Sequence, residues 1–210
     1  MCESVDQDLT PNTSTVPKAA WRRIWPSRDG AAAIEFAILA IPYFMIVFAI
    51  IETFVAFTAE QLVSNAVETL SRQLRTGQIT TGLGRSTDKT QTEFRKLFCD
   101  EIAILIQCSA EEIATPDKLY LDVRTFSTFA NIPTTIPRKS SDTYADIDTT
   151  SFGYSPGGAK SINMVRAYYR WQIITDLVRP YITNIRPTDG SVPNYFLIVA
   201  TSAFQNEDYP

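Results

Sequence analysis

The sequence predicts an α+β protein in which one long amino-terminal helix precedes a small head with an antiparallel β-sheet of at least three strands. An apolar run over residues 31–51, continued by an amphipathic pattern, indicates the helix. Three later segments, residues 119–126, 162–172 and 195–204, have the side-chain pattern of strands and indicate the sheet. A chain of 210 residues has room for one such helix and one modest globular domain.

The apolar run has the length of a membrane span. Its 21 residues contain a single charged residue, Glu35, and as a helix they extend over about 31 Å, the thickness of the hydrocarbon core of a bilayer. A carboxylate in the middle of a membrane costs about 2.5 to 3.5 kcal/mol. Glu35 must therefore reach the membrane surface or pair with a cation.

Residues 1–30 precede the span and are predicted to form a cytoplasmic leader. They are polar at first and then basic, with Lys18, Arg22, Arg23 and Arg28 near the end. Positive charge flanks the cytoplasmic end of a membrane helix. We therefore expect a single-pass inner-membrane protein with a cytoplasmic amino terminus and a periplasmic carboxyl-terminal domain.

The helix is predicted to extend past the membrane and to cover residues 31–76, about 67 Å in all. An apolar stripe with three- and four-residue spacing marks its second half. The stripe consists of Val55, Ala59, Leu62 or Val63, Ala66, Leu70 and Leu74. Pro42 predicts a kink inside the membrane part, and Gly77 is a typical helix stop. On periodicity alone, a plain membrane anchor with a helical stalk is the better interpretation.

The head, residues 77–210, is predicted to begin with a loop and a second helix. The pattern Thr90-x-x-Glu93 is that of a capping box and places this helix over about residues 91–106. Farther on, residues 195–204 are apolar on both faces, which predicts a central strand.

A long excursion over residues 130–158 is rich in Pro, Gly, Thr and Ser, and we expect it to be ordered only by packing against the head. It contains Asp142, Asp146 and Asp148, whose oxygens could in principle bind calcium. Their spacing lacks the glycine and the distal glutamate of a calcium-binding loop, so a solvated acidic loop is the favoured interpretation.

Composition argues against several classes of function. The net charge of −4 comes without a basic stripe, so we predict no nucleic-acid partner. The chain contains no histidine, which removes histidine general bases and histidine-ligated metal sites. We therefore predict no enzymatic activity, no cofactor and no metal site. A tethered periplasmic enzyme would need a pocket in which Ser, Lys and Asp converge.

The start of the apolar run resembles the processing site of type IV prepilins and pseudopilins. In that pattern a basic leader ends in Gly, four mostly apolar residues follow, and then come Glu and an aromatic residue. Gly30, Glu35 and Phe36 match it in order, with residues 31–34 between. The resemblance implies that a prepilin peptidase cuts between Gly30 and Ala31, and that the Glu35 carboxylate pairs with the new terminal amine of a neighbouring subunit.

Three further features resemble the TadE-like minor pilins or pseudopilins of tight-adherence (Tad, Flp) pilus loci. They are the segment Arg75-Thr76-Gly77-Gln78, the two spaced cysteines of the head and the closing Ala203-Phe204-Gln205-Asn206-Glu207. The family commonly closes on Asn-Glu-Pro, whereas this chain has Asp208 and Tyr209 before Pro210. The resemblance implies a type IV pilin-like fold, and as partners other Tad pilins and pseudopilins, the inner-membrane assembly platform and membrane lipid.

The cysteines predict a disulfide. If the leader is removed, Cys2 leaves with it, and Cys99 and Cys108 remain as an even pair outside the cytoplasm. Nine positions in a straight helix would separate them by about 13 Å, too far for a bridge. The chain must therefore turn back after about Ile104, and the alternative is a pair of free thiols.

Taken together, these patterns predict a non-catalytic minor pilin-like subunit that helps to build or initiate a Tad-type pilus. The alternative is an unprocessed single-pass scaffold protein of an envelope or secretion complex. The two differ in whether the chain begins at Ala31 or at Met1.

Overall fold

The computed structural model describes residues 28–185 and 194–209, with side chains from residue 32 onward. The predicted leader up to residue 27, including Cys2, lies outside the described residues, as does Pro210. The chain divides into two compact units, Met1–Ile46 and Val47–Pro210. Helix α1, Arg28–Arg75, contributes residues to both.

In the first unit, helix α1 presents apolar side chains that are largely exposed. They are Ile34, Phe36, Ile38, Leu39, Ile41, Tyr43, Phe44, Met45 and Ile46. Pro42 lies inside the helix, which continues on both sides of it. Among the described residues, α1 is the one helix long and apolar enough to cross a membrane. The helix therefore fits a single-pass membrane protein.

In the second unit, the predicted stripe of α1 is buried. Its residues are at most 2% exposed, and from Ala59 onward they form the core together with helix α2 and one face of the sheet. They are Ala56, Ala59, Val63, Ala66, Val67, Leu70 and Leu74. The three- and four-residue spacing is thus confirmed, with Ala56 in the place expected for Val55. The helix ends at Arg75, just before Gly77, whose φ of 74° suits glycine.

Helix α2, Gln91–Ile102, begins with the predicted capping box. The Thr90 hydroxyl accepts from the Glu93 N–H at 3.3 Å, and the Glu93 carboxylate accepts from the Thr90 N–H at 2.7 Å. The helix ends four residues earlier than predicted. The chain folds back there, and a disulfide between Cys99 and Cys108 closes the turn with a Cα–Cα distance of 5.8 Å. A short helix α3, Ala110–Ala114, follows.

The sheet contains the three predicted strands: β1, Leu119–Phe126, β3, Ile162–Gln172, and β4, Tyr195–Gln205. They pair in antiparallel fashion, β1 with β3 and β3 with β4. A two-residue strand β2, Tyr154–Ser155, adds a parallel edge beside β1 that the sequence pattern did not indicate. The result is a four-stranded mixed sheet in the order β2-β1-β3-β4, and the α+β class is confirmed.

The prediction that residues 195–204 form a central strand was wrong, because β4 lies at the edge of the sheet. Ile198 and Ala200 face the core with α1, while Leu197 faces the cluster under the excursion. A strand such as β4 can therefore be covered on both faces and still lie at the edge of the sheet, with a neighbouring strand on one side only. The Asn184 side chain pairs with part of the free edge, since its Oδ1 accepts from the Leu197 N–H at 2.6 Å.

The second face of the sheet is covered by the excursion rather than by helices. Ile147 from the excursion, Tyr168 from β3 and Ile185 are buried together there. Arg166 on β3 donates to the carbonyl oxygens of Pro133 and Thr135, the first at 2.5 Å and the second at 3.3 Å. The excursion is therefore ordered by contacts with the head, as expected. Two short elements complete the fold: a 3-10 turn, Phe129–Asn131, and helix α4, Arg179–Ile182.

Candidate functional site

The predicted processing and assembly residues lie at the start of α1. Gly30 and Ala31 are in its first turns. Glu35 and Phe36 follow one turn later with exposed side chains, and Phe36 is 70% exposed. Residues four apart in a helix share a face. A carboxylate thus lies on the same side as the nitrogen that cleavage after Gly30 would convert to an amine.

In the second unit, the part of α1 before the buried stripe also has exposed apolar side chains. Phe48, Ile50, Ile51, Phe54 and Phe57 are each more than half exposed there. Contiguous apolar surface of this kind marks a contact with lipid or with another protein. The start of α1 therefore has the composition of a segment that packs against other molecules.

Glu52 follows directly after the apolar run and joins α1 to a distant loop. Its carboxylate accepts from the backbone N–H groups of Ile174 and Thr175, the latter at 2.8 Å. Sequence reasoning missed this contact. A second carboxylate at the end of an apolar run was a signal that a partner exists, but its partners lie more than a hundred residues away and are backbone groups.

The two motif segments of the TadE-like resemblance meet at the other end of the head. The Glu207 N–H donates to the Arg75 carbonyl at 2.9 Å, and the two side chains form an ion pair at 3.5 Å. The Tyr209 ring lies against Gly77, where a Cβ atom would come within 2.7 Å of it. Asn206 is buried and donates to the carbonyl oxygens of Gly157 and Gly158, both at 2.9 Å. The closing segment thus fixes the end of α1.

The acidic residues of the excursion have separate partners. Asp146 accepts from Arg170 at 2.7 and 2.8 Å and from Lys139 at 3.0 Å. Burial raises the pKa of Asp146, but the two cations lower it more, so its pKa lies below the ordinary value. Asp142 accepts from the Tyr144 N–H, and Asp148 from Thr150. Within the described ranges, no group of three or more metal-binding side chains is found.

Two cavities in the described head contain serines. The larger, about 310 Å³, is lined by Ser71, Ser202 and charged residues of α1, but by neither lysine nor aspartate. The smaller, about 230 Å³, brings together Ser109, Glu112 and Lys118. There the Ser109 hydroxyl caps α3, and the Glu112 carboxylate accepts from three backbone N–H groups. The side chains of Ser109 and Glu112 are thus already engaged in hydrogen bonds to the local backbone.

A model of the family described as TadE-like protein matches residues 30–72. The amino-terminal segment is thus similar to the TadE-like family. This TadE-like segment, residues 30–72, contains Gly30, Glu35 and Glu52 and ends three residues before the end of α1. The match confirms the resemblance and is consistent with a TadE-like protein of the Tad pilus system. No curated protein and no solved structure matches the chain.

The TadE-like family suggests a structural rather than a catalytic protein that is associated with a pilus. The matched residues include the exposed first part of α1 and most of the buried stripe. The sheet, the disulfide and the excursion lie outside the match.

Proposed function

We propose that the chain is a minor pilin or pseudopilin-like subunit for the assembly or initiation of a Tad-type (Flp) pilus. One observation carries this proposal. The TadE-like segment begins at Gly30, and Glu35 lies one helical turn after Ala31 on a helix with an exposed apolar surface.

The first step in this function is cleavage by a prepilin peptidase between Gly30 and Ala31. The cut creates a terminal amine at the cytoplasmic surface of the membrane and leaves Glu35 one turn deeper. An ammonium group of a neighbouring subunit then pairs with the Glu35 carboxylate. Charge-assisted hydrogen bonds of this type strengthen as the local dielectric falls. The pair offsets the cost of a carboxylate in the membrane and orders subunits along the filament axis.

The second step is assembly through the exposed apolar surface of α1, which includes Phe36. Other Tad pilins and pseudopilins and the inner-membrane assembly platform are the proposed partners, and lipid surrounds the same surface before assembly. Meanwhile the buried stripe holds the head. The Cys99–Cys108 disulfide supports a periplasmic location of the head, because disulfides persist outside the cytoplasm.

Mass analysis of the chain extracted from membranes tests the cleavage. The proposal expects an amino terminus at Ala31 in wild type and a full-length chain when Gly30→Leu blocks the site. Gly153→Ala serves as the matched control, because it changes a glycine of the head that has space around it, and it should be cleaved. An intact Met1 chain in a strain with active prepilin peptidase would contradict processing and favour the unprocessed scaffold.

A further inference from the structure

The loop over residues 173–183, called here the Glu52 loop, contains both buried and exposed apolar side chains. Ile173 and Val178 are buried, at 1% and 8% exposure. Ile174 and Tyr181 are 81% and 84% exposed, and Leu177 is 42% exposed. The outward residues are thus not needed for the core.

The Glu52 loop is fixed to α1 at the point where the apolar run ends. Ile51 is the last residue of that run, and the next residue, Glu52, binds the backbone of Ile174 and Thr175. One residue corresponds to about 1.5 Å along a helix. The loop is therefore held at the level at which a membrane-spanning α1 leaves the hydrocarbon core.

The charges of the loop are largely neutralised by one another. Arg179 pairs with Asp176 at 2.7 Å, and its positive charge also acts on Glu52. Asp176 stays on the outer side with its side chain 86% exposed, and beside this paired carboxylate lie two aliphatic side chains and a tyrosine. Tyrosine, with an apolar ring and a polar hydroxyl, is enriched where membrane and water meet.

Two of the three most exposed large apolar residues of the described head belong to the Glu52 loop. Besides Ile174 and Tyr181, only Ile104 is more than 80% exposed in the part of the chain that the structure describes. It lies two residues before Ile106, which lines a cavity with Tyr169 near the end of β3. The opposite end of the sheet has the less exposed Phe129, at 51%.

From these observations we infer that the Glu52 loop inserts its outer side chains into the bilayer interface, so that lipid contacts both α1 and the head. The occupant is a lipid surface, because the patch continues the apolar run at the helix exit and has no excess of positive charge for anionic ligands. This inference rests on the membrane insertion in the proposed function. It adds a second, shallow membrane contact that sets the orientation of the head.

Site-directed spin labelling of the full chain in phosphatidylcholine nanodiscs tests the inference. In a Cys2→Ser background, single cysteines replace Ile174 or Tyr181 for labelling, while Phe129→Cys serves as the matched control at the far end of the head. Ile41→Cys reports the membrane span. The measurement is the ratio of nitroxide accessibility to oxygen over that to a polar nickel complex, which rises with depth in the bilayer.

We expect a ratio at Ile174 and Tyr181 that is severalfold higher than at Phe129 and lower than at Ile41. A high ratio at Ile41 together with ratios at the loop equal to that at Phe129 would overturn the inference and leave the membrane span intact. A low ratio at Ile41 would remove both the span and the inference. Addition of salt should leave the loop ratios unchanged, since the contact is apolar; a large loss in salt would contradict that.

Discussion

The two parts of helix α1 differ in what covers their apolar side chains. Between residues 34 and 46 these side chains are exposed, whereas between residues 56 and 74 the apolar stripe is buried in the head. A helix that is apolar on all sides needs lipid or other subunits, while an amphipathic helix can be satisfied by its own chain. The first part of α1 is therefore suited to contacts with lipid or other subunits, and the second part to packing within the head.

The largest effect is expected for Glu35→Gln, a change confined to the first part. The amide keeps the shape of the side chain but removes the charge that a neighbour's amine would bind. We expect normal insertion and normal cleavage after Gly30, but loss of pilus assembly, measured by counting sheared pili beside the mass of the extracted chain. Glu60→Gln, on the second part of the same helix, should assemble normally. Normal piliation with Gln at position 35 would refute the assembly role and favour a plain anchor.

A change in the second part of α1 should instead lower the stability of the head. Leu70 is 1% exposed in the core, so Leu70→Ala should destabilise the head by about 2 to 5 kcal/mol through lost apolar contact and a cavity. Ile41→Ala, at a position that is 65% exposed, should leave the unfolding transition of the head unchanged. Thermal unfolding of the two full-length variants in detergent checks this. Equal destabilisation by both would mean that the two parts of α1 are not separate in function.

A smaller effect is expected at Glu52, where the two parts adjoin. Glu52→Ala removes the acceptor of two backbone N–H groups, and we expect a loss of about 1 to 2 kcal/mol, confined to the Glu52 loop. Hydrogen exchange at Ile174 and Thr175 should speed up, while exchange in β3 stays as in wild type. Glu60→Ala is the control for removing a carboxylate from α1. Unchanged exchange in the loop would show that Glu52 does not hold it.

The smallest effect is expected far from α1, at the buried ion pair under the excursion. Because the folded pKa of Asp146 is lowered, its contribution is complete above the unfolded pKa of about 3.9 and is lost as pH falls through the folded pKa. The unfolding temperature of Asp146→Asn should therefore lie below wild type at about pH 6, and the gap should narrow toward about pH 3. Asp100→Asn, which removes an exposed pair with Lys96, should show little difference at any pH. A difference in unfolding temperature between wild type and Asp146→Asn that stays constant with pH would contradict a lowered pKa of Asp146.

Local patterns in the sequence sufficed for much of the fold. The boundaries of β1 and β3 were predicted correctly, as were the capping box at Thr90 and the buried stripe of α1. In each case the signal is contained in neighbouring residues, because side-chain alternation and helical spacing directly reflect which face is buried. The pairing of Cys99 with Cys108 was also predicted, from their even number in a domain expected outside the cytoplasm, and the turn that the bridge requires is present.

Contacts between distant residues could not be foreseen in this way. Strand β2 has only two residues, too few to show alternation, and β4 looked central because an irregular excursion covers a face that a helix would usually cover. The excursion is held by Arg166 and Arg170, whose partners are carbonyl groups and a carboxylate far along the chain. The contact of Glu52 with Ile174 and Thr175 was missed for the same reason, because its two ends lie far apart in the sequence. The roles of Gly30, Glu35 and Phe36 rest on a motif, and they remain predictions.

The position of β4 near the end of the chain has a consequence for the order in which the head can fold during synthesis. The stripe on α1 shares its core with Ile198 and Phe204, and the end of α1 is fixed by Glu207, all more than a hundred residues later in the chain. At usual rates of synthesis that interval lasts on the order of ten seconds. Throughout that interval the apolar stripe lacks the strand that covers it in the folded head, so the growing chain leaves this surface exposed. The core around α1 is therefore completed only after the last strand has been synthesised.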